Sequence, residues 1–515
     1  MPIDTGKQVK KRAVQRTLLF TICVLLLVTF AVVWQVNIKD PYTGNYDEGD
    51  FLLAARQVLE GRRLFTDVFS AQPPLYLEMM TLAFRLFGDT LVVGREMTIF
   101  FSLICLATVA LITWRIAGPL SVPVAIFCLG VQSQFFKDAK IAMADIPSLA
   151  YALLAMACAL PTRSRRYGAW LVLAGACFAL SLLTKLLPIL LIMPLLFLVA
   201  LSAPANEPFT WHLLSLKTGF TPVFIRRLIL FAIGSVSVIS FIVFRYDLFS
   251  AYDQVIHFHM VAMNVFRSKP LGNISQLGTL LMQNFGFTCL AVLGFAVLLK
   301  RNRLAAVWLA LWLAAATSFI IVYTPLFSDH LVIFLPPFAL LAGASIHWAP
   351  LGWQKQRWKS MTLVTLLLLS HAGISIYRDW HFLNQTAPEI AKLPVDLIQR
   401  YTHPGDIVIS DDTLSVFLTR RTVPRLVCDT ARTRIASGYL TDAQMIEASK
   451  DARMVLFWKH RLQRLTTYRQ WVQSHFQLVQ AVKNPGHERS IYEAYLDMAK
   501  GDDGHEKSIF RYSSK

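Results

Sequence analysis

Tyr46 to Arg62 reads YDEGDFLLAARQVLEGR and sets three carboxylates, Asp47, Glu48 and Asp50, directly ahead of an apolar stretch. A carboxylate in that position can take a proton from a reacting hydroxyl, or it can cap a helix and offset its dipole. Phe51, Leu52, Ala55, Val58 and Leu59 fall on one face of a helix from Glu48 to Gly61, with Gly61 as terminator, so capping accounts for some of the acids. A further acid, Asp145, opens an apolar run two residues before Pro147, where capping and chemistry compete again. Lys185 lies between two apolar runs in LTKLLP, a costly place for a cation without a partner. It either snorkels to the surface or meets an anion.

The elements that must position these groups are membrane spans. The chain has 515 residues, 55% of them hydrophobic, too apolar for a soluble protein of this size. Eleven apolar runs are long enough to be candidate spans, near 17–36, 96–117, 119–136, 146–160, 168–184, 187–203, 228–244, 285–299, 304–322, 331–347 and 360–377. The first follows a basic amino terminus and reads as a signal anchor, with no small-residue cleavage site after it. The net charge of +18 is scattered through short loops, which argues for orientation in a bilayer and against nucleic-acid binding. KKRAVQR, TRSRR, IRR, KRNR and KQRWK share the side of the amino terminus, which the positive-inside rule makes cytoplasmic. The loop from Ile38 to Arg95 is then external, and an odd number of spans places the carboxyl terminus outside as well.

That external loop holds the Glu48–Gly61 helix and a second one, opened by Pro73 and Pro74 and closed by Gly88, too short to cross a bilayer. Both are expected to lie on the membrane surface, an arrangement suited to chemistry at the interface. Beyond residue 380 the pattern changes. GDIVIS (405–410), PRLVCD (424–429), ARMVLFW (452–458) and FQLVQAV (476–482) read as strands of a small soluble α/β domain. The division is a transmembrane domain over 1–379 and an external domain over 380–515. The seven cysteines show no paired or metal-binding spacing.

Asp47-Glu48-Gly49, Ala55-Arg56, Leu59-Glu60-Gly61-Arg62, QPPLY before an apolar helix ending Phe87-Gly88, and Gly94-Arg95 together resemble the first external loop of the GT-C glycosyltransferases. The nearest branch is family 39 with the aminoarabinose transferase-like enzymes. Asp145-Ile146-Pro147, LSLLTKLLP around Lys185 and SDHLVIFLPPFALLAG continue the likeness through most of the membrane part. The resemblance implies a polytopic α-helical protein that moves a sugar from a polyprenyl-phosphate donor to an acceptor hydroxyl outside the membrane, with inversion. The acceptor class stays open among lipid, glycan and protein. For a bacterial chain the site is the plasma (inner) membrane, with the carboxy-terminal domain periplasmic. No cofactor is implied as required, although divalent-metal use differs among GT-C families.

Within that resemblance Asp47 matches the acid of the first external loop and is expected to be the general base, with Glu48 as runner-up. Asp145 matches a second acid near the active site. Lys185 is expected to contact the donor phosphate. The aminoarabinose branch usually carries a lysine before its Pro pair, where this chain has Gln72. Arg56, Arg62, Arg267 and Lys269 are candidate replacements for that missing cation. Gln72, His257, His259, Asp329 and His330 are expected to line the pocket. The two histidines at i, i+2 do not share a helical face, so no metal site is assigned to them. The alternative is a non-catalytic transporter or lipid-binding scaffold; a transporter predicts repeats and broken helices at mid-membrane, and the sequence shows neither.

Overall fold

A computed structural model describes residues 5–43, 46–162, 164–202, 212–213, 222–266, 269–348, 357–385, 388–483 and 491–497. Among the described residues seven helices are long and apolar enough to cross a membrane, and Pro270–Gln283 with Phe285–Arg301 forms a further candidate bent by 90°. Three shorter apolar helices, Pro119–Gly130, Asp145–Ala159 and Leu187–Val199, accompany them. Each of the eleven apolar runs overlaps one of these elements, and those near 119–136, 146–160 and 187–203 give the three short helices, not full spans. Phe20, Phe241, Met361 and other large apolar side chains stay exposed on the outer helix faces, as expected where lipid replaces water. Where spans must pack closely, small residues allow it. Tyr167–Thr184 and Pro222–Val243 cross at Gly175 and Gly234, where any Cβ would lie 1.9 Å from the opposing carbonyl oxygen, and Ser235 Oγ donates to Gly175 O at 3.0 Å.

The first loop folds much as its pattern predicts. The first loop helix runs Tyr46–Leu59, so Asp47 lies in the first turn instead of capping it. The second runs Leu75–Phe87, with Pro74 before it and Gly88 after it at φ 94°. Only the second has an apolar face open to lipid, at Leu82, Leu86 and Phe87. The first helix does not rest on the membrane: Leu52, Leu53, Ala54 and Ala55 are buried in a core shared with Leu77, Met80, Val408, Val416 and Phe417. Its apolar stripe faces the carboxy-terminal part of the chain, which periodicity alone cannot tell from a lipid-facing stripe. Gly49 permits that contact, since a Cβ there would lie 2.4 Å from Leu414 N.

The carboxy-terminal part builds a four-stranded sheet in the order Val408–Ser410, Met454–Phe457, Ile491–Leu496, Gln477–Lys483; the first pair is parallel and the others antiparallel. Three of the expected strands form. PRLVCD does not: Leu426 takes φ 60° and donates its N–H to Asp67 O at 2.9 Å, and Val427 and Cys428 are buried. Leu426 and Cys428 serve docking to the first loop, where Cys428 Sγ donates to Phe69 O, while Val427 packs against the sheet. Ile491–Leu496, absent from the expected set, takes an inner position.

A buried charge network fixes where the loop leaves the membrane part. Arg95 and Glu48, 1% and 0% exposed, pair through Nε–Oε1 at 2.8 Å and Nη2–Oε2 at 2.7 Å. Arg95 Nη1 also donates to Ile38 O and Asp40 O, while Ala142 N donates to Glu48 Oε1 at 2.9 Å. Glu48 is thereby spent on structure and lies away from the cavity described below, which removes it as a candidate base. Glu48→Ala strands a buried guanidinium and should cost about 3–5 kcal/mol. Thermal unfolding in detergent checks this, and a variant as stable as the parent would refute the network's role.

Candidate active site

The first loop, the membrane helices and the carboxy-terminal sheet enclose a cavity of about 1280 Å³. Asp47 and Asp50, one turn apart, open into it beside Tyr46. The carboxy-terminal part holds this helix start in place: Thr430 N donates to the Tyr46 hydroxyl at 2.9 Å, and the Arg461 guanidinium lies 3.0 Å from the Tyr46 ring centre. Although the Asp47 side chain is open to the cavity, the cavity is set deep among protein atoms. Burial therefore pushes its carboxyl up to about 6; Lys185 and Arg461 pull it down, while Asp429 and Asp329 push it up. Asp50 is pushed well above the usual carboxylate range by burial and by the negative charges of Asp429 and Asp47.

Lys185 follows directly on Tyr167–Thr184 and reaches the same cavity. It does not snorkel. Its Nζ donates to both oxygens of buried Asp145 at 2.7 and 2.8 Å, leaving one N–H for another acceptor. Asp145 itself does not line the cavity. It acts through Lys185, aiming the ammonium and balancing its charge, and does not face Asp47 as a second cavity carboxylate.

Gln72, His259, Lys269, Asp329 and His330 also reach the cavity. His259 Nε2 bonds the Ala71 carbonyl at 2.8 Å, so that nitrogen carries the proton, and burial pulls the ring's pKa below its usual value. His330 accepts the Phe327 N–H at Nδ1 and packs edge-on to Tyr323. Apolar and aromatic side chains, Leu187, Ile189, Met260, Phe319 and Phe327 among them, form the membrane-side wall.

Besides Glu48 and Asp145, three expected residues stand elsewhere, and one lies outside the described residues. Arg56 pairs with Asp89 at 2.7 Å, donates to Phe417 O at 2.7 Å and lies over the Phe417 ring. Arg62 donates to Val423 O and Thr422 Oγ1. Both arginines bind the carboxy-terminal part, so charge in the loop marked a docking surface and not a phosphate site. His257 pairs with Asp253 and Tyr439 and does not line the cavity. Arg267 lies outside the described residues. Among the described residues no group of three or more His, Cys, Asp or Glu side chains is placed to hold a metal ion.

The sequence reading missed the cavity's carboxy-terminal wall: Asp429, Arg432, Lys459, His460, Arg461 and Arg464. The signal was the basic run KHRLQR (459–464) directly after the ARMVLFW strand.

This arrangement of interlocked spans, loop helices and carboxy-terminal sheet defines a multi-pass membrane protein with a GT-C-like fold. The family model described as dolichyl-phosphate-mannose-protein mannosyltransferase matches residues 71–231, a stretch with Gln72, Asp145 and Lys185 but not Asp47. The fold is similar to ArnT from Cupriavidus metallidurans bound to undecaprenyl phosphate, with TM-score 0.62 and 14% identity over 93% of this chain and 98% of that one. It is also similar to the Archaeoglobus fulgidus oligosaccharyltransferase AglB in complex with an inhibitory peptide and a dolichol-phosphate, with TM-score 0.52 and 12% identity over 94% and 75%. No curated protein matches the chain in sequence.

The docking role of Arg56 is open to test. Arg56→Ala removes charge-assisted bonds to Asp89 and Phe417 O, worth about 1–3 kcal/mol to local opening. Hydrogen exchange should quicken in 46–59 and 413–418; unchanged protection would leave the arginine without that role.

Proposed function

We propose that the protein is a glycosyltransferase that moves a sugar from a polyprenyl-phosphate donor to an acceptor hydroxyl on the outer face of the membrane, with Asp47 as general base. The observation that carries this reading is the cavity itself, where Asp47 meets Lys185 between an apolar membrane-side wall and a polar external wall. The lipid-phosphate-bound relatives and the matching family model support the donor class.

In the proposed step the acceptor O–H gives its proton to the Asp47 carboxylate as its oxygen attacks the anomeric carbon. The bond from that carbon to the donor phosphate breaks with inversion, and polyprenyl phosphate leaves. A hydroxyl is a weak nucleophile, so proton removal during attack contributes about 10²–10⁴-fold. The leaving phosphate gathers negative charge, which the remaining N–H of Lys185 and the ammonium of Lys269 would stabilise. Asp145 keeps Lys185 charged and in place. The step as proposed draws on side-chain charges, with no metal assigned to it. The donor's tail stays in lipid against Leu187, Ile189 and Phe319, and its head reaches Asp47 without leaving the membrane. The carboxy-terminal sheet packs on the first loop, consistent with both being external and the amino terminus cytoplasmic.

With purified protein, a polyprenyl-phosphate sugar and an envelope extract as acceptor source, Asp47→Asn should lower transfer about 10²–10⁴-fold. Transfer at the parental rate would remove Asp47 as the base.

The pH profile gives a second check. Asp47 accepts a proton only when ionised, and its carboxyl is pushed up to about 6, so activity should be present above that pH and lost as pH falls through it. Lys185 holds that value down, so Lys185→Met should move the acid limb to higher pH as well as slow transfer. A limb that stays in place would separate Lys185 from Asp47.

A further inference from the structure

The carboxy-terminal wall of the cavity carries more positive charge than its own carboxylates balance. Strand Met454–Phe457 runs into the segment 458–464, which Asp411 holds rigidly. Asp411 is fully buried. Its Oδ1 accepts the backbone N–H groups of Trp458 at 2.5 Å and Lys459 at 2.8 Å; its Oδ2 accepts those of Arg461 at 2.8 Å and Leu462 at 3.2 Å. Four N–H donors on one buried carboxylate fix the segment before any ligand arrives, a condition for a binding surface that must not spend its affinity on ordering.

From this fixed segment Lys459, Arg461 and Arg464 line the cavity, and Arg432 joins them from the helix Arg432–Ala436. Lys459 stands 3.8 Å from Asp412. Among the described residues Arg432, Arg461 and Arg464 have no carboxylate within ion-pair distance. Arg461 is the most constrained of them. Its guanidinium is pressed over Tyr46, the residue before Asp47, and its Nη1 is buried without a hydrogen-bond partner. The side chain as a whole lines the cavity without a carboxylate partner, so its charge is directed to an oxyanion entering there.

We propose that this wall is an anion subsite for the acceptor, so that the hydroxyl deprotonated by Asp47 belongs to a glycan or glycolipid bearing a phosphate or carboxylate near the reacting sugar. The inference rests on the transferase reading above and deepens it. The donor is served from the other side: Lys185 and Lys269 come from the membrane segments, next to the apolar wall that takes the lipid. The cations of the carboxy-terminal part approach Asp47 from the external side, where a polar acceptor enters. Two sets of cations flanking one base match a reaction whose two substrates each bring an anion. The external set would also select the acceptor, because a neutral sugar leaves Arg461 unpaired.

The test measures binding, so it does not depend on transfer. The full chain in nanodiscs is titrated by ligand-observed NMR with glucose 6-phosphate, methyl glucuronide, neutral methyl glucoside and farnesyl phosphate. An anionic sugar should bind about tenfold or more tightly than the neutral one. The Arg461→Gln/Arg464→Gln double variant should lose that preference, Arg461→Lys should restore part of it, and farnesyl phosphate affinity should hold throughout. Whichever of glucose 6-phosphate and glucuronide binds better identifies the anion. Arg464→Gln alone, changing a side chain exposed in the cavity, keeps the question answerable should the double variant unfold. Equal binding of anionic and neutral sugars overturns the proposal. So does a double variant that weakens only farnesyl phosphate, because the wall would then serve the donor. Neither result bears on Asp47, whose role is read from Asp47→Asn transfer.

Discussion

The buried pair between Glu48 and Arg95 is the constraint on which the site depends. Two ions removed from water are stable together only if their remaining donors and acceptors are satisfied, and here backbone groups of Ile38, Asp40 and Ala142 complete the set. That requirement ties the end of the first span, the start of the first loop helix and the segment leading to Asp145 to one point at the head of Leu91–Ala117. Asp47 is the residue before Glu48, so its place relative to the membrane follows from a pair that has no chemistry of its own.

From that point two further interactions close the site. On the membrane side Asp145 holds Lys185 by both carboxylate oxygens, so a cation that hydrocarbon would otherwise exclude stays charged at the cavity. On the opposite side Tyr46 is gripped by Thr430 and Arg461, so the carboxy-terminal part and the loop helix form one wall. The shared core of Leu52, Leu53, Val416 and Phe417 makes that wall a packed interior instead of a loose lid. The electrostatic consequence is local: protein around an otherwise open carboxyl raises its pKa, and the nearby cations limit the rise.

What the sequence made legible divides along the same lines. Eight of the eleven apolar runs fall on candidate spans, because a bilayer demands length and apolarity that composition reports directly; the other three give helices too short to cross. Asp47, Lys185, Gln72, His259, Lys269, Asp329 and His330 line one cavity. Partners were harder to read. Asp145 and Lys185 are forty positions apart, and each taken alone permits capping or snorkelling. Arg56 and Arg62 looked like free cations because the groups that bind them, Phe417 O and Val423 O, lie some 360 positions away. The same distance hid Arg461 and Asp429. The apolar stripe of the first loop helix was misjudged for a related reason: a stripe says that something covers it, not whether that cover is lipid or protein.

The two anchors on either side of Asp47 have a further consequence. In the proposed reaction a donor whose tail stays in the bilayer meets an acceptor that arrives from water at the boundary, so the proposed base has to be positioned by both phases at once. Glu48 holds Asp47 to the membrane scaffold and Tyr46 holds it to the carboxy-terminal part, from the positions on either side of it in one helical turn. For the proposed base a misplacement of about 1 Å would cost about 10²-fold in rate, so the proposal relies on both anchors. Within YDEGD the contact of Glu48 with the membrane part, the cavity carboxyl of Asp47 and the contact of Tyr46 with the carboxy-terminal part are carried by one helical turn, which keeps the two halves of the cavity in register.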